Sequence, residues 1–294
     1  MKFKALNLHP SLHEGIDAMG YEETTPVQEQ TIPAILNKKD IIACAQTGTG
    51  KTAAFLIPVI HNLLTHRSGK IGAIIIVPTR ELAIQIDQHL QGIAYFSGVS
   101  SKAIYGGGDG QGFDVEKKAL TTGVDIVVAT PGKFLQHLNM GYIDTSGVLH
   151  FILDEADRML DMGFSDDIMR IESKLPKEKQ TLMFSATMPG FIRKLAHRLL
   201  HDPIEINLGL AKPAEGVIQA AYMVNDKDKN LLIASLLKGK ALNSIIIFAA
   251  TKIAVKQLEQ HLQRLEGFTT KAMHSDLDQP TREATLNQFK NRGF

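Results

Sequence analysis

Ala45-Gln46-Thr47-Gly48-Thr49-Gly50-Lys51-Thr52 follows a short apolar run, Asp40–Ala45, and leads into a segment with helical spacing. It approximates the phosphate-binding pattern G-x-x-x-x-G-K-[ST], with Ala45 in place of the first glycine. Gly48 and Gly50 would let backbone N–H groups wrap a chain of phosphates, and a helix starting near Lys51 would add partial positive charge. Lys51 would neutralise β- and γ-phosphates, and the Thr52 hydroxyl would ligate Mg²⁺. The plain alternative is a Gly/Thr-rich strand-to-helix turn with no ligand; the strand before it, the helix after it and the Lys-Thr pair speak against that.

A second stretch supplies what such a loop needs. His150-Phe151-Ile152-Leu153-Asp154-Glu155 is an apolar strand delivering two carboxylates to its C-terminal end, where ligands of open α/β sheets bind. Asp154 would hold the metal through a water, and Glu155 would take a proton from an attacking water. Alone, an acidic pair after a strand is usually a helix N-terminus; the upstream loop gives it a chemical reading.

Working outward, strand-like runs at Asp40–Ala45, Ala73–Val77, Lys102–Tyr105, Asp125–Ala129, His150–Leu153, Thr181–Phe184 and Ile204–Asn207 alternate with helical patterns such as Glu81–Ala94 and Phe191–Leu200. Continuous apolar strands separated by helices imply a parallel sheet covered on both faces, an α/β fold. Residues 208–216 (LGLAKPAEG) break the rhythm and read as a linker. Beyond it the pattern resumes with strands expected at Val217–Val224, Ser244–Ala249 and Thr269–His274 and helices at Lys227–Leu237, Ile253–Leu265 and Pro280–Asn291. The expected domains are therefore 1–207 and a short second one, 217–294, which reads as cut short.

Composition narrows the classes. Of 294 residues, 44% are hydrophobic and 21% charged, which excludes wholesale disorder. The net charge of +1 gives no hint of a polyanion, but the balance is −3 up to residue 216 and +4 after it. One cysteine, Cys44, excludes an internal disulfide framework and a cysteine-based zinc site. The longest apolar runs, such as Ile74–Val77 and Ile245–Ala250, are too short for a bilayer, so no membrane partner is expected. The N-terminus lacks an apolar core of signal-peptide length. A soluble, cytoplasmic chain, monomeric by default, is the expectation.

Asp154-Glu155-Ala156-Asp157 spells the signature of the DEAD-box family of RNA-dependent ATPases, and other motifs resemble the family's in the same order. Gly20-Tyr21-Glu22-Glu23-Thr24-Thr25-Pro26-Val27-Gln28 resembles the Q motif, and Phe3 stands where the family has an isolated aromatic. Pro78-Thr79-Arg80-Glu81-Leu82-Ala83 resembles motif Ia, Gly106-Gly107 the paired-glycine motif, and Thr130-Pro131-Gly132-Lys133 motif Ib, with lysine where arginine is usual. Ser185-Ala186-Thr187 resembles motif III. Ile246-Ile247-Phe248 with Thr251 resembles motif IV, and Gln279-Pro280-Thr281-Arg282 resembles the stretch that follows.

The resemblance implies two RecA-like lobes of the P-loop type, the second incomplete, in a bacterial-type ATP-dependent RNA helicase. It implies that Gln28 reads the adenine edge with Thr25 close to the phosphate loop, that Phe3 stacks on the base with Tyr21 nearby, and that residues 45–52 hold ATP. Phe3 and Tyr21 also fit a plain reading as core aromatics. Pro78, Thr79, Arg80, Gly106, Gly107, Thr130, Pro131, Gly132, Lys133 and Arg282 would follow the RNA backbone, predicting binding without sequence preference. Thr130-Pro131-Gly132 also suits a helix start, because proline sits well at the first helical position. Asp157, Ser185 and Thr187 would link hydrolysis to strand separation. Two further family motifs are absent from the sequence, one carrying arginines that reach the γ-phosphate. A catalytic arginine contributes about 10³–10⁵ in turnover, so slow hydrolysis is expected. The competing expectation is an ATP- and RNA-binding module with little turnover.

Overall fold

A computed structural model describes every residue except 67, 107–109, 209–216, 241 and 265–267, together with the side chains of 110 and 111. Gly107, nearly all of the linker 208–216 and the last residue of the helix expected at Ile253–Leu265 therefore lie outside the described residues.

The chain divides into two compact units, Met1–Ala214 and Glu215–Phe294. In the first, seven strands form one sheet: β1 (Ile41–Cys44), β2 (Ala73–Ile76), β3 (Ser101–Ile104), β4 (Ile126–Ala129), β5 (His150–Leu153), β6 (Gln180–Ser185) and β7 (Ile204–Asn207). Their order is β3-β4-β2-β5-β6-β1-β7, every pair parallel. Each sequence-predicted strand of this unit is present within a residue or two.

Parallel strands need crossovers, and the helices supplying them cover both faces. One face packs α1 (Pro10–Ala18), α2 (Pro26–Leu36), α3 (Lys51–Thr65) and α4 (Arg80–Ile93) around Phe55, Leu56, Ile75 and Phe184. The other packs α5 (Gly110–Thr122), α6 (Pro131–Asn139), α7 (Ala156–Asp161), α8 (Ser165–Glu172) and α9 (Gly190–Leu199) around Ile74, Phe134, Phe151 and Met159. Successive strand residues point to opposite faces, so Ile74 and Ile75 serve different cores. That is why β2 is apolar throughout.

The helix starts are legible in their caps. Thr25 caps α2 in a reciprocal capping box with Gln28, and Pro26 occupies the first turn. Thr79 caps α4 by accepting the Leu82 N–H. All the loops that follow strand C-termini emerge along one edge of the sheet, because the strands run the same way.

In the second unit the helices appear where expected: α10 (Lys229–Leu237), α11 (Lys252–Leu262) and α12 (Gln279–Lys290). The strands do not. Among the described residues, 217–224, 244–249 and 269–274 make no hydrogen-bonded ladder, and Ile218, Met223 and Phe248 are exposed. Sequence alternation marks the face a strand would bury but cannot supply its partner, and three short parallel runs would leave both edges open. The unit's buried cluster is small, Leu237, Leu258 and Leu262 with partly buried neighbours. Lys252 and Lys256 both reach Asp276, at 2.8 Å each.

No described helix is long and apolar enough to cross a membrane.

Candidate functional site

The turn between β1 and α3 carries the glycine-rich loop. Gly48 and Gly50 both have positive φ, 82° and 90°, and Gly50 is the residue from which α3 starts. A methyl group on Gly50 would come within 2.5 Å of Gln28 Nε2 and 3.1 Å of Thr25 Oγ1. Position 50 therefore needs glycine for its backbone and for its neighbours. The crown of the loop, Thr47 and Gly48, is exposed, while Thr49 donates its hydroxyl back to the Gln46 carbonyl at 2.7 Å.

Lys51 is buried, and its Nζ donates to the Ala45 carbonyl at 2.7 Å. It thus bridges the two ends of its own loop. Thr52 is half-buried on the first turn of α3. Gln28, also buried, donates through Nε2 to the Gly50 carbonyl at 3.1 Å and accepts the Thr25 N–H at 2.9 Å. The structure thus brings Thr25 and Gln28 against the phosphate-type loop, 22 residues distant in sequence for the Gln28–Gly50 pair.

Two strands across, β5 ends in the acidic pair. Asp154 is 3% exposed. Burial pushes its carboxyl up to about 6 against the pull of the Lys51 ammonium and the Glu155 N–H, which donates at 2.9 Å. A buried carboxylate in that state suits a divalent cation, which would relieve its desolvation. A single buried carboxylate is a donor set that fits Mg²⁺, which takes one or two protein ligands and completes its shell with phosphate and water. Glu155 stands in the left-handed region at φ 52°, ψ 49°, at the start of α7. A non-glycine residue there stores strain of order 1–3 kcal/mol, and such strain clusters at functional sites. Its carboxylate pairs with Arg158 at 3.2 Å. Arg158 was not singled out from sequence, although the i, i+3 spacing was there to suggest it.

Asp157 faces the end of β6. Its Oδ2 accepts the Thr187 N–H at 2.9 Å and the Thr187 hydroxyl at 2.8 Å, and its own N–H donates to Ser185 Oγ at 3.3 Å. Burial alone would raise the Asp157 carboxyl, but the bonds from Thr187 and Ser185 outweigh it and hold it below the usual carboxylate range.

Several assigned residues sit differently from expectation. Phe3 is 1% exposed, in the core, with its ring stacked on Tyr21 at 5.8 Å. Tyr21 is half-buried and its hydroxyl is hydrogen-bonded to His89 on α4. In this conformation the pair is a packed block, not an open platform for a base. Pro78 and Pro131 are buried and shape their turns; the accessible groups are Thr79, Arg80, Gly106, Thr130 and Gly132. The Arg80 guanidinium lies over the Tyr105 ring at 4.8 Å. Lys133 is turned onto Glu116 at 3.1 Å. Arg282 lies on α12 in the second unit, its guanidinium 3.4 Å from Gln279 Oε1.

Residues 25–195 match the DEAD/DEAH box helicase family. The chain belongs to that family. Residues 228–294 match the helicase conserved C-terminal domain. Among curated relatives, the ATP-dependent RNA helicase CshA of Listeria monocytogenes is 40% identical over 290 residues, covering 98% of this chain and 55% of that protein. The DEAD-box ATP-dependent RNA helicase CshA of Geobacillus kaustophilus is 40% identical over 289 residues and 61% covered. The chain thus spans little more than half the length of these relatives. A solved DEAD box protein of Methanococcus jannaschii aligns with TM-score 0.67 and 38% identity, over 100% of this chain and 78% of that one. Dbp5 of S. cerevisiae, solved bound to Gle1 and IP6, aligns at 0.78 and 30%, over 99% and 72%. The fold is α/β and RecA-like, shared with DEAD-box helicases.

Proposed function

We propose that this chain works as an ATP-dependent RNA helicase, in which RNA-stimulated ATP hydrolysis drives local separation of short duplexes. The observation that carries it is the bonding of Asp157 to Thr187 and Ser185, which ties the acidic end of β5 to the end of β6 beside the glycine-rich loop. A nucleotide-dependent shift at Asp154 and Glu155 would be felt at once by that second loop.

Each residue then has a task. Residues 45–52 cradle the phosphates, with Lys51 leaving the Ala45 carbonyl to meet their charge. Gln28 presents both a donor and an acceptor, the pairing an adenine edge needs, with Thr25 fixing its amide. Phe3 and Tyr21 would have to open to stack on the base. Thr52 and Asp154 would hold Mg²⁺, which supplies charge neutralisation on the phosphates. Glu155 would receive the proton of the attacking water, its carboxylate placed by the left-handed backbone and held at rest by Arg158. Thr79, Arg80, Gly106, Gly107, Thr130, Gly132 and Arg282 would meet the RNA backbone, giving binding without sequence preference. Residues 1–207 would form the ATP-binding domain, 208–216 the linker and 217–294 the partial second domain. The chain would act in the cytoplasm as a monomer on RNA.

RNA-stimulated phosphate release tests this. Turnover that rises with single-stranded RNA and is lost in Glu155→Gln supports the helicase reading. ATP and RNA binding without turnover would instead favour a non-catalytic binding module. The absence of hydrogen-bonded strands among the described residues of 217–294 supports that second reading.

A further inference from the structure

α5 is held to the rest of the first unit in an unusual way. Among its described side chains only Glu116 and Leu120 are buried, so apolar packing anchors it at one point near its end. Its other contacts form a polar and aromatic seam. Phe113, Glu116 and Lys117 share one helical face by their i, i+3, i+4 spacing. The Phe113 ring stacks flat on the His137 imidazole, 4.6 Å between centroids and 10° between planes, and the Lys133 ammonium lies over it at 4.9 Å. Glu116 Oε2 meets Lys133 Nζ at 3.1 Å and His137 Nε2 at 3.0 Å. Lys117 lies 5.4 Å over the Tyr142 ring, and the Tyr142 hydroxyl bonds His137 Nδ1.

Hydrogen-bond direction makes the seam self-consistent. His137 is fully buried, and burial pushes its pKa down in spite of Glu116, so the ring is neutral. With Nε2 protonated it donates to Glu116, leaving Nδ1 to accept from Tyr142. Among the described residues Glu116 is the acid bonded in the seam, and it is shared by Lys133 and His137.

The placement of the seam gives it a consequence. β3 and β4 are parallel neighbours in register, Ile104 opposite Ala129, and the Thr130 N–H donates to the Ile104 carbonyl at 3.1 Å. Gly106 stands just past the end of β3. Thr130-Pro131-Gly132 leaves β4 and opens α6. Gly106 and Thr130 therefore stand just past the ends of paired strands, and α6, which Thr130 opens, carries the side chains that meet α5.

We propose that Glu116 is a positioning residue for RNA binding. By joining Lys133 and His137 it clamps α5 to α6 and so fixes residues 130–132 at the start of α6, beside Gly106, with Lys133 serving the clamp and not a phosphate. This rests on the RNA-binding reading above.

The test is binding of a labelled single-stranded oligouridylate by the full chain, titrated between about 50 and 200 mM salt. ATP affinity and melting temperature serve as controls. Glu116→Ala and Lys133→Met should each weaken RNA binding about tenfold. The double variant should be no weaker than either, since both break one clamp. Their salt slopes should match the parent's, whereas a lost phosphate contact would lower the slope by about 0.7. Glu116→Gln, which keeps an acceptor but loses the charge, should fall between, and serves if Glu116→Ala melts early. ATP affinity should be unchanged in all of them. The proposal is overturned if Glu116→Ala and Glu116→Gln bind RNA as tightly as the parent or more tightly, or if Lys133→Met lowers the slope. A parent chain that binds ATP but not the oligouridylate would overturn the RNA reading, and this inference with it.

Discussion

Thr187 gives both of its donors, backbone N–H and side-chain hydroxyl, to a single carboxylate oxygen of Asp157, at 2.9 Å and 2.8 Å. The acceptor belongs to the first turn of α7 and the donors to the loop after β6, so one oxygen joins the exits of two adjacent strands. Thr187→Val would keep the N–H bond and the shape but remove the hydroxyl. Because the site is partly exposed, the cost should be about 1 kcal/mol of stability, read by urea denaturation. The larger effect should fall on the ratio of RNA-stimulated to basal ATP turnover, which should drop while ATP affinity holds.

Lys51 is expected to carry nucleotide affinity. Its ammonium is already desolvated and bonded to a carbonyl, so it can exchange that acceptor for a phosphate at little cost. A hydrogen bond to a charged group contributes about 1.5–3 kcal/mol. Lys51→Ala should therefore weaken ATP binding about 10- to 100-fold, measured by titration with a fluorescent analogue. Unchanged affinity would remove the shared pocket on which the functional reading stands.

Gly50→Ala tests the link between the loop and Gln28. The new methyl would face the Gln28 amide at 2.5 Å on a backbone at φ 90°. Strain of about 2 kcal/mol is expected, lowering the melting temperature by about 5 °C, together with loss of ATP affinity as the Gln28 amide is displaced.

His150 should make the fold sensitive to acid. It is buried on β5, and burial drives its pKa from 6.5 down to about 4, with Gln180 on the neighbouring strand opposing the shift. Between those two values the unfolded chain takes up a proton that the native chain refuses, so stability falls as the pH drops from about 6.5 and levels off below about 4. The full loss is about 3 kcal/mol, with about 2 kcal/mol of it reached by pH 5. Asp154, raised to about 6, takes up a proton in the native state over the same range and offsets part of this loss. The check is therefore the stability difference between the parent and His150→Leu, read from urea midpoints, which should shift in favour of His150→Leu by about 2 kcal/mol from pH 7 to pH 5.

The elements that sequence revealed share a physical trait: they are local. The Gly48–Thr52 turn at the start of α3 and the helix start at Thr130-Pro131-Gly132 each span a few residues and draw on backbone preferences that operate within that span. Apolar runs such as Ile74–Val77 announced buried strands for the same reason. The runs at 217–224, 244–249 and 269–274 carried similar signals without forming a described ladder, because a ladder needs a distant partner that alternation does not specify. For Phe3 the resemblance implied a stacking platform and the residues themselves also fitted a core aromatic; the structure buries it against Tyr21.

From its residues alone the chain declared a parallel α/β fold, the phosphate-type loop, the two carboxylates of β5 and the family to which these belong. Folding in three dimensions settled the rest: that β6 lies between β1 and β5, so that Asp157 meets Thr187; that Gln28 reaches the Gly50 carbonyl; and that Lys133 turns to Glu116. Those pairings join residues far apart along the chain, and their partners are chosen by which helices the sheet lays side by side, an outcome of global packing that no short window of sequence contains.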